Sequence, residues 1–175
     1  LVLEEAKTGL FGILGQKGAL VRVSTRETRV EAAVRFLRDV VSTMGLSAEF
    51  ETSVEDGYAF INMVGDDLGS LIGRRGQTLN SLQYLVNLAV AKSAVGSERV
   101  VLDVEGYRRR REETLRLLAK RLADKVRRTG QSVMLEPMSA QERRVVHTAL
   151  QDSPYVTTKS EGEEPYRKIV IHVKK

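Results

Sequence analysis

The chain has 175 residues, 42% hydrophobic and 29% charged, which is an ordinary globular composition with room for one large domain or two small ones. It contains no cysteine, which excludes disulfides, thiolate metal sites and cysteine nucleophiles, and no apolar run long enough to span a bilayer. The net charge of +5 is unevenly placed: residues 26–105 carry 8 basic and 12 acidic side chains, whereas residues 106–130 carry 10 and 3. Basicity concentrated in one segment favours a polyanionic partner there.

The first 105 residues give a regular series of predicted elements. A glycine-rich segment, 9–18, predicts a hydrophobic turn before a short strand at 20–23. A helix is predicted from Thr25 to Met44, because apolar residues recur there every three or four positions and Gly45 can end it. Asp56-Gly57 lies between two extended runs and predicts a hairpin. The other predicted elements are strands 47–54 and 58–64, a short helix 67–72, a helix from 77 to about 94, and strand 99–104.

The order predicted for residues 25–105 is therefore α-β-β-α-α-β, with a glycine loop between its second and third helices. The third of these helices has an apolar stripe that is predicted to be buried, formed by Leu79, Leu82, Leu85, Val86 and Val90.

The basic segment predicts one long helix over residues 107–128. Its predicted buried stripe is formed by Leu115, Leu118, Leu122 and Val126. Four cations fall within about 40° of one another on a different face, namely Arg109, Arg116, Lys120 and Arg127. This face is either a solvated surface, as most charged helix faces are, or a phosphate-contact surface whose binding weakens with salt. The scarcity of neighbouring acids favours the phosphate interpretation.

The last part of the chain predicts another small α+β arrangement. A helix is predicted over residues 139–150, since Ser139 and Glu142 have the spacing of a capping box. Strands are predicted at 132–135, 155–159 and 168–173, with a polar loop over 160–165.

The glycine loop Gly73-Arg74-Arg75-Gly76 is the first candidate site. Glycines at both ends let the backbone turn sharply and let a sugar-phosphate chain approach closely. The helix that follows directs its free N–H groups and its dipole at the loop, and the two arginines add phosphate contacts. Alone, a GxxG loop is more often a structural turn. Basic residues at both middle positions, in an otherwise acidic block, favour a clamp for single-stranded nucleic acid.

Arg143 and His147 form the second candidate site, because residues four apart share a helix face. Together they could hold a phosphate oxygen, although the spacing alone is a weak signal. His172 lies in a predicted strand, and no metal cluster is suggested. No nucleophile, base and orienting group can be assembled, so we expect neither an enzyme nor a cofactor.

These motifs resemble two known domains. The element order and the run Leu71 to Gly76 resemble a type II KH domain, and Arg143 to His147, followed by Ser160 to Arg167, resembles the small domain named for its Arg-x-x-x-His motif. In that order the two resemble the bacterial Jag proteins, and residues 9–23 resemble the end of the Jag N-terminal domain. The implied organisation is α+β, with a remnant at 1–23, a KH domain at 24–105 and the second domain at 106–175.

The resemblance implies a cytoplasmic regulator that binds single-stranded RNA and has ties to cell elongation and division or to sporulation. It places Arg143, His147 and Arg167 among the nucleic-acid contacts. It also implies a partnership with a second small KH protein. Two alternatives stay open from the residues: an adaptor that dimerises through the acidic sheet of the KH domain, and a binder of single-stranded DNA. No integral membrane association is expected.

Overall fold

The computed structural model describes residues 2–4, 20–21, 27–93 and 95–174. At the N-terminus, β1 (Val2–Glu4) pairs with β2 (Leu20–Val21) in antiparallel fashion. Strand β2 covers the first two residues of the strand predicted at 20–23, whereas the predicted glycine-rich turn at 9–18 lies outside the described residues. No helix in the described part of the chain combines the length and the apolar character needed to cross a membrane.

Helix α1 (Arg29–Thr43) begins later than predicted. The start at Thr25 is wrong, because Glu27 and Thr28 precede the helix without joining it. Thr28 is the N-cap: its hydroxyl accepts from the Glu31 N–H, and the Glu31 carboxylate accepts from the Thr28 N–H at 2.8 Å. This capping box satisfies two N–H groups that the first turn leaves free, so it fixes the boundary.

A tight hairpin joins β3 (Glu49–Glu55) to β4 (Tyr58–Val64), as predicted. The two turn residues, Asp56 and Gly57, have φ angles of 50° and 78°. Two consecutive left-handed residues make the turn whose twist matches that of the flanking strands, and Asp-Gly tolerates that conformation better than most pairs.

The glycine loop lies in a crossover between two parallel strands. From β4 the chain passes through α2 (Gly69–Ile72), a 3-10 turn at Arg74–Gly76 and α3 (Gln77–Ser93) to β5 (Arg99–Val104), which pairs parallel to β4. The sheet order is β3-β4-β5. Parallel strands need such a crossover, and the helices cover one face of the sheet. The predicted α-β-β-α-α-β order and the α+β class are confirmed.

The first core lies between that sheet and helices α1, α2 and α3. Alternate residues of β4 and β5 point into it, together with one stripe of each longer helix. Leu85 is the exception to the predicted stripe of α3, since 49% of its surface is exposed. Neighbouring residues on a helix point about 100° apart, and Val86 takes the buried direction.

Helix α4 (Tyr107–Thr129) joins this unit to a second one. Tyr107 packs against the first core, whereas Leu115, Ala119 and Val126 are buried in the second, so one helix belongs to both. The helix ends at Gly130, whose φ of 69° is the left-handed conformation that closes many helices.

The second unit is a small sheet covered by helices. Strands β6 (Val133–Met134), β7 (Val156–Glu161) and β8 (Lys168–Val173) pair antiparallel in the order β6-β8-β7. Helix α5 (Ala140–Leu150) begins with the predicted capping box of Ser139 and Glu142. Its buried side packs with α4 and the inward face of β8.

Candidate nucleic-acid interface

The glycine loop is built so that both of its glycines are required. Gly73 has φ 68° and ψ −175°, and a Cβ there would lie 2.0 Å from the Thr78 hydroxyl oxygen. Gly76 has φ 75°, and a Cβ there would lie 2.7 Å from a ring carbon of Tyr107. A side chain at either position would meet both backbone strain and a steric clash. The loop therefore keeps a thin backbone surface immediately before α3.

The two arginines of the loop have different surroundings. Arg74 is exposed, and its side chain makes no hydrogen bond within the described part of the chain. Arg75 has φ 58°, and its guanidinium forms an ion pair with Glu136 and donates to the Pro137 carbonyl at 3.5 Å. Glu136 follows β6 in the second unit. Arg74 is thus free to meet a phosphate, whereas Arg75 joins the loop to the other unit.

The run of four arginines at the start of α4 is mostly used inside the molecule. Arg108 donates from Nε to the Leu102 carbonyl at 2.8 Å and from its Nη atoms to Asn80 and Gln83. Arg110 donates to the Glu105 carbonyl. These bonds attach the helix to the first unit, and they reduce the charge available to an outside anion.

Arg111 continues this pattern with a carboxylate of α5. Its Nε donates to a Glu142 oxygen at 2.8 Å, and both side chains are mostly buried. Of the four consecutive arginines, Arg109 is the one whose side chain makes no hydrogen bond to a described residue.

The four cations predicted to share a face of α4 are all exposed. Arg116 pairs with Glu112 at 2.5 Å, and the Arg127 guanidinium lies 5.2 Å from the centre of the Tyr155 ring. Arg109 lies about 160° around the helix axis from Arg111, which faces α5 and the glycine loop. The basic face and the glycine loop are therefore separate surfaces.

Arg143, the first residue of the Arg-x-x-x-His motif, is buried, with 8% of its surface exposed. Its Nη1 donates to the Met138 carbonyl at 2.8 Å, and its Nη2 donates to a Glu164 oxygen at 2.8 Å. These two bonds connect the start of α5 to the loop between β7 and β8. The phosphate role predicted for Arg143 stays a prediction, and the guanidinium already has a structural role.

His147 lies one turn further along α5 and is half-buried. Its Nδ1 is 2.6 Å from the Thr158 hydroxyl of β7. Burial lowers the pKa of His147 below its ordinary value, and the charge of Arg143 lowers it further. The imidazole is therefore neutral at neutral pH, so it can exchange a hydrogen bond but does not add a positive charge. Arg167 is exposed, and its Nε donates to the Ser160 hydroxyl at 2.9 Å.

The second sheet also places three polar side chains together that the sequence did not suggest. The Ser132 hydroxyl is 2.8 Å from Nδ1 of His172, and Nε2 of His172 is 3.9 Å from a Glu161 oxygen. Among the described residues, no group of three or more His, Cys, Asp or Glu side chains is arranged to hold a metal ion.

The fold and the loop define a class of protein, namely a KH domain joined by a basic helix to a second small nucleic-acid-binding domain. Comparison with known families supports each half. A model of the KhpA/KhpB KH domain matches residues 30–104, and a model of the domain named for its Arg-x-x-x-His motif matches residues 113–173.

Relatives extend the match to the whole chain. It is 47% identical to a protein of Clostridium symbiosum named RNA-binding protein KhpB, over 99% of this chain and 79% of the relative. Proteins of the same name from Lactiplantibacillus plantarum and Bacillus subtilis are 38% and 34% identical, covering 88% and 99% of this chain and 48% and 85% of those relatives. The chain belongs to the KhpB family, also called the Jag family, as the sequence motifs predicted.

Proposed function

We propose that the chain is a cytoplasmic regulatory protein that binds single-stranded RNA without an enzymatic activity of its own. The carrying observation is the Gly73–Gly76 turn, which has a thin backbone, an exposed Arg74 and the start of a 17-residue helix at one place. The relatives' printed name, RNA-binding protein, supports the choice of nucleic acid. A role in cell elongation and division or in sporulation belongs to the proposal through the family resemblance.

The loop would hold RNA through its backbone rather than through the bases. The free N–H groups at the start of α3 favour an anion near Gly76. Arg74 adds a charge-assisted hydrogen bond to a phosphate oxygen, which is stronger than a bond between neutral groups. A KH loop of this kind spans about four nucleotides. Arg75 joins the clamp when its guanidinium leaves Glu136 for a phosphate.

The basic face of α4 supplies a second phosphate contact. Its exposed cations have one acidic neighbour among their ion pairs, Glu112, and the rest of their charge faces solvent. Contacts of this kind fix position and affinity but carry no sequence information. Arg167 extends the positive surface on the second unit. In this proposal Arg143 positions the loop after β7, and His147 offers a neutral hydrogen-bonding group.

Charge reversal at Arg74 tests the clamp with little risk to the fold, because the side chain is exposed and makes no bond within the described residues. The matched control is Arg99→Glu, an exposed arginine next to the β3–β4 turn, at the opposite end of β5 from the glycine loop. Binding of labelled single-stranded RNA and DNA is measured by fluorescence anisotropy over a range of salt. We expect Arg74→Glu to weaken RNA binding about tenfold and Arg99→Glu to change it less than twofold. Equal losses for the two variants, or binding that ignores salt, would contradict the proposal. Tighter binding to the DNA would favour the DNA alternative.

A specific observation favours protein interaction as a second role. Helix α3 exposes Tyr84, Leu85 and Leu88, with 69%, 49% and 50% of their surfaces open to solvent. Three large apolar side chains on one exposed helix face are unusual on a surface that contacts only water. We propose that this face, rather than the acidic sheet, binds a second KH unit, either another copy of this chain or a second small KH protein.

Light scattering across concentrations separates the two partners. A homodimer predicts a mass near twice the monomer's that falls on dilution and that Leu88→Glu abolishes. A monomer at every concentration would exclude the homodimer and leave the second KH protein, which a pull-down with that purified protein tests directly.

A further inference from the structure

The glycine loop, the start of α4 and the start of α5 enclose a cleft of about 320 Å³ between the two units. Its apolar wall is formed by Gly76, Tyr107, Leu115 and Val145, and its polar rim includes Asn80 and Gln141. A volume of this size and a mostly apolar lining with a few polar groups are typical of sites for small planar ligands. The KH half alone does not form the cleft, because α5 supplies part of the lining.

Charge makes the cleft a poor site for a phosphate. Arg75 already meets Glu136, Arg108 already donates to a carbonyl, and Arg111 already meets Glu142. The carboxylates beside Arg75 and Arg111 would repel a phosphate that approached either guanidinium. The cleft is better matched to a neutral group with hydrogen-bond acceptors.

Arg111 has the geometry to read such a group. Its Nε is held by Glu142, whose other oxygen accepts from the Ser139 N–H and hydroxyl in the capping box of α5. Its two Nη atoms make no hydrogen bond with any described residue, although the side chain lines the cleft. The guanidinium is therefore fixed by one edge and presents donors along another, so little side-chain freedom is lost when an acceptor arrives.

We propose that this cleft binds one nucleobase of the RNA strand held by the glycine loop, and that it prefers guanine. The inference rests on the proposed RNA binding. Gly76 belongs to both the loop and the cleft, so a strand leaving the loop passes the mouth of the cleft. Guanine shows two acceptors, O6 and N7, that match the arginine fork, whereas adenine places an amino donor where O6 would be. Tyr107 contributes an aromatic wall beside the base.

Short RNA probes test the base without altering the protein. The probes are an eight-nucleotide oligouridine and eight variants with a single guanine at each position. We expect at least one guanine position to bind about tenfold more tightly than oligouridine, and 7-deazaguanine there to remove most of the gain. Adenine at that position should bind no better than uracil. Equal affinities across the series would overturn the proposal.

Protein variants then locate the base. Gln141→Ala removes a rim amide, and its matched control is Gln151→Ala, an exposed glutamine at the far end of the same helix. Arg111→Lys keeps the charge and loses the planar fork. Gln141→Ala and Arg111→Lys should reduce the guanine preference at least threefold while oligouridine affinity is kept. A preference that survives both variants would place the base elsewhere and overturn the proposal. Loss of all RNA binding in the unaltered protein is a different result, and it would refute the proposed function itself.

Discussion

Replacement of Glu136 by glutamine should strengthen RNA binding. The Glu136 carboxylate holds the guanidinium of Arg75, one of the two loop arginines, so a phosphate has to displace it before Arg75 can contribute. The side chains of Arg75 and Glu136 are 36% and 72% exposed, which places the pair among solvent-screened ion pairs. Such pairs are worth about 0.2–1 kcal/mol, so Glu136→Gln should tighten RNA binding by about 1.5- to 5-fold. Fluorescence anisotropy at physiological salt measures the change.

General charge effects are removed by a matched variant. Glu163→Gln changes the same charge on an exposed residue of the β7–β8 loop, whose side chain makes no bond within the described residues. The gain from Glu136→Gln should also disappear when Arg75 is already glutamine, because the two changes act on one pair. An equal gain from Glu163→Gln, or a gain that persists without Arg75, would refute the reasoning.

Three further predictions concern stability. Gly76→Ala should lower the free energy of unfolding by about 2–4 kcal/mol, since it adds a clash with Tyr107 to left-handed strain; Gly45→Ala, with φ 73° and open space around its Cβ, should lower it by about 1 kcal/mol, and urea denaturation compares the two. Arg143→Ala should lower it by about 2–3 kcal/mol, because the Met138 carbonyl loses its bond to a buried guanidinium. The folded pKa of His147 lies below its ordinary value of 6.5, so the unfolded chain binds more protons as the pH falls through that value. Stability should therefore decline from about pH 7.5 to 5.5, and His147→Gln should flatten that decline in thermal melts.

Local signals account for the parts of the fold that the sequence predicted well. Asp56-Gly57 and Ser139-x-x-Glu142 each define a turn or a helix start within four residues, and both appear as predicted. Alternating apolar residues predicted β5 to the residue. The start of α1 was wrong because the cap at Thr28 was overlooked, although Thr28-x-x-Glu31 is visible in the sequence. That signal would have placed the boundary correctly.

The candidate site was less predictable, because its character depends on contacts between distant residues. Arg75 meets Glu136 from another unit, and Arg111 meets Glu142 across 31 positions. Neither pair has a local pattern, so a run of arginines looked like free charge. The same limit applies to Arg143, since a spacing that puts it on one face with His147 does not reveal that this face is turned inward.

Helix α4 determines how an RNA strand would meet both units. Tyr107 packs in the first core and Leu115 in the second, about two turns apart on one continuous helix, so the cleft between the units has a defined shape. The basic face that includes Arg109 and Lys120 lies on a different side of that helix from Arg111. A strand held by the glycine loop must pass around the helix to reach it. An eight-nucleotide probe therefore reports on the loop and the cleft, and charge reversal at Lys120 should reduce affinity only for longer strands, because only those extend beyond the cleft to the basic face.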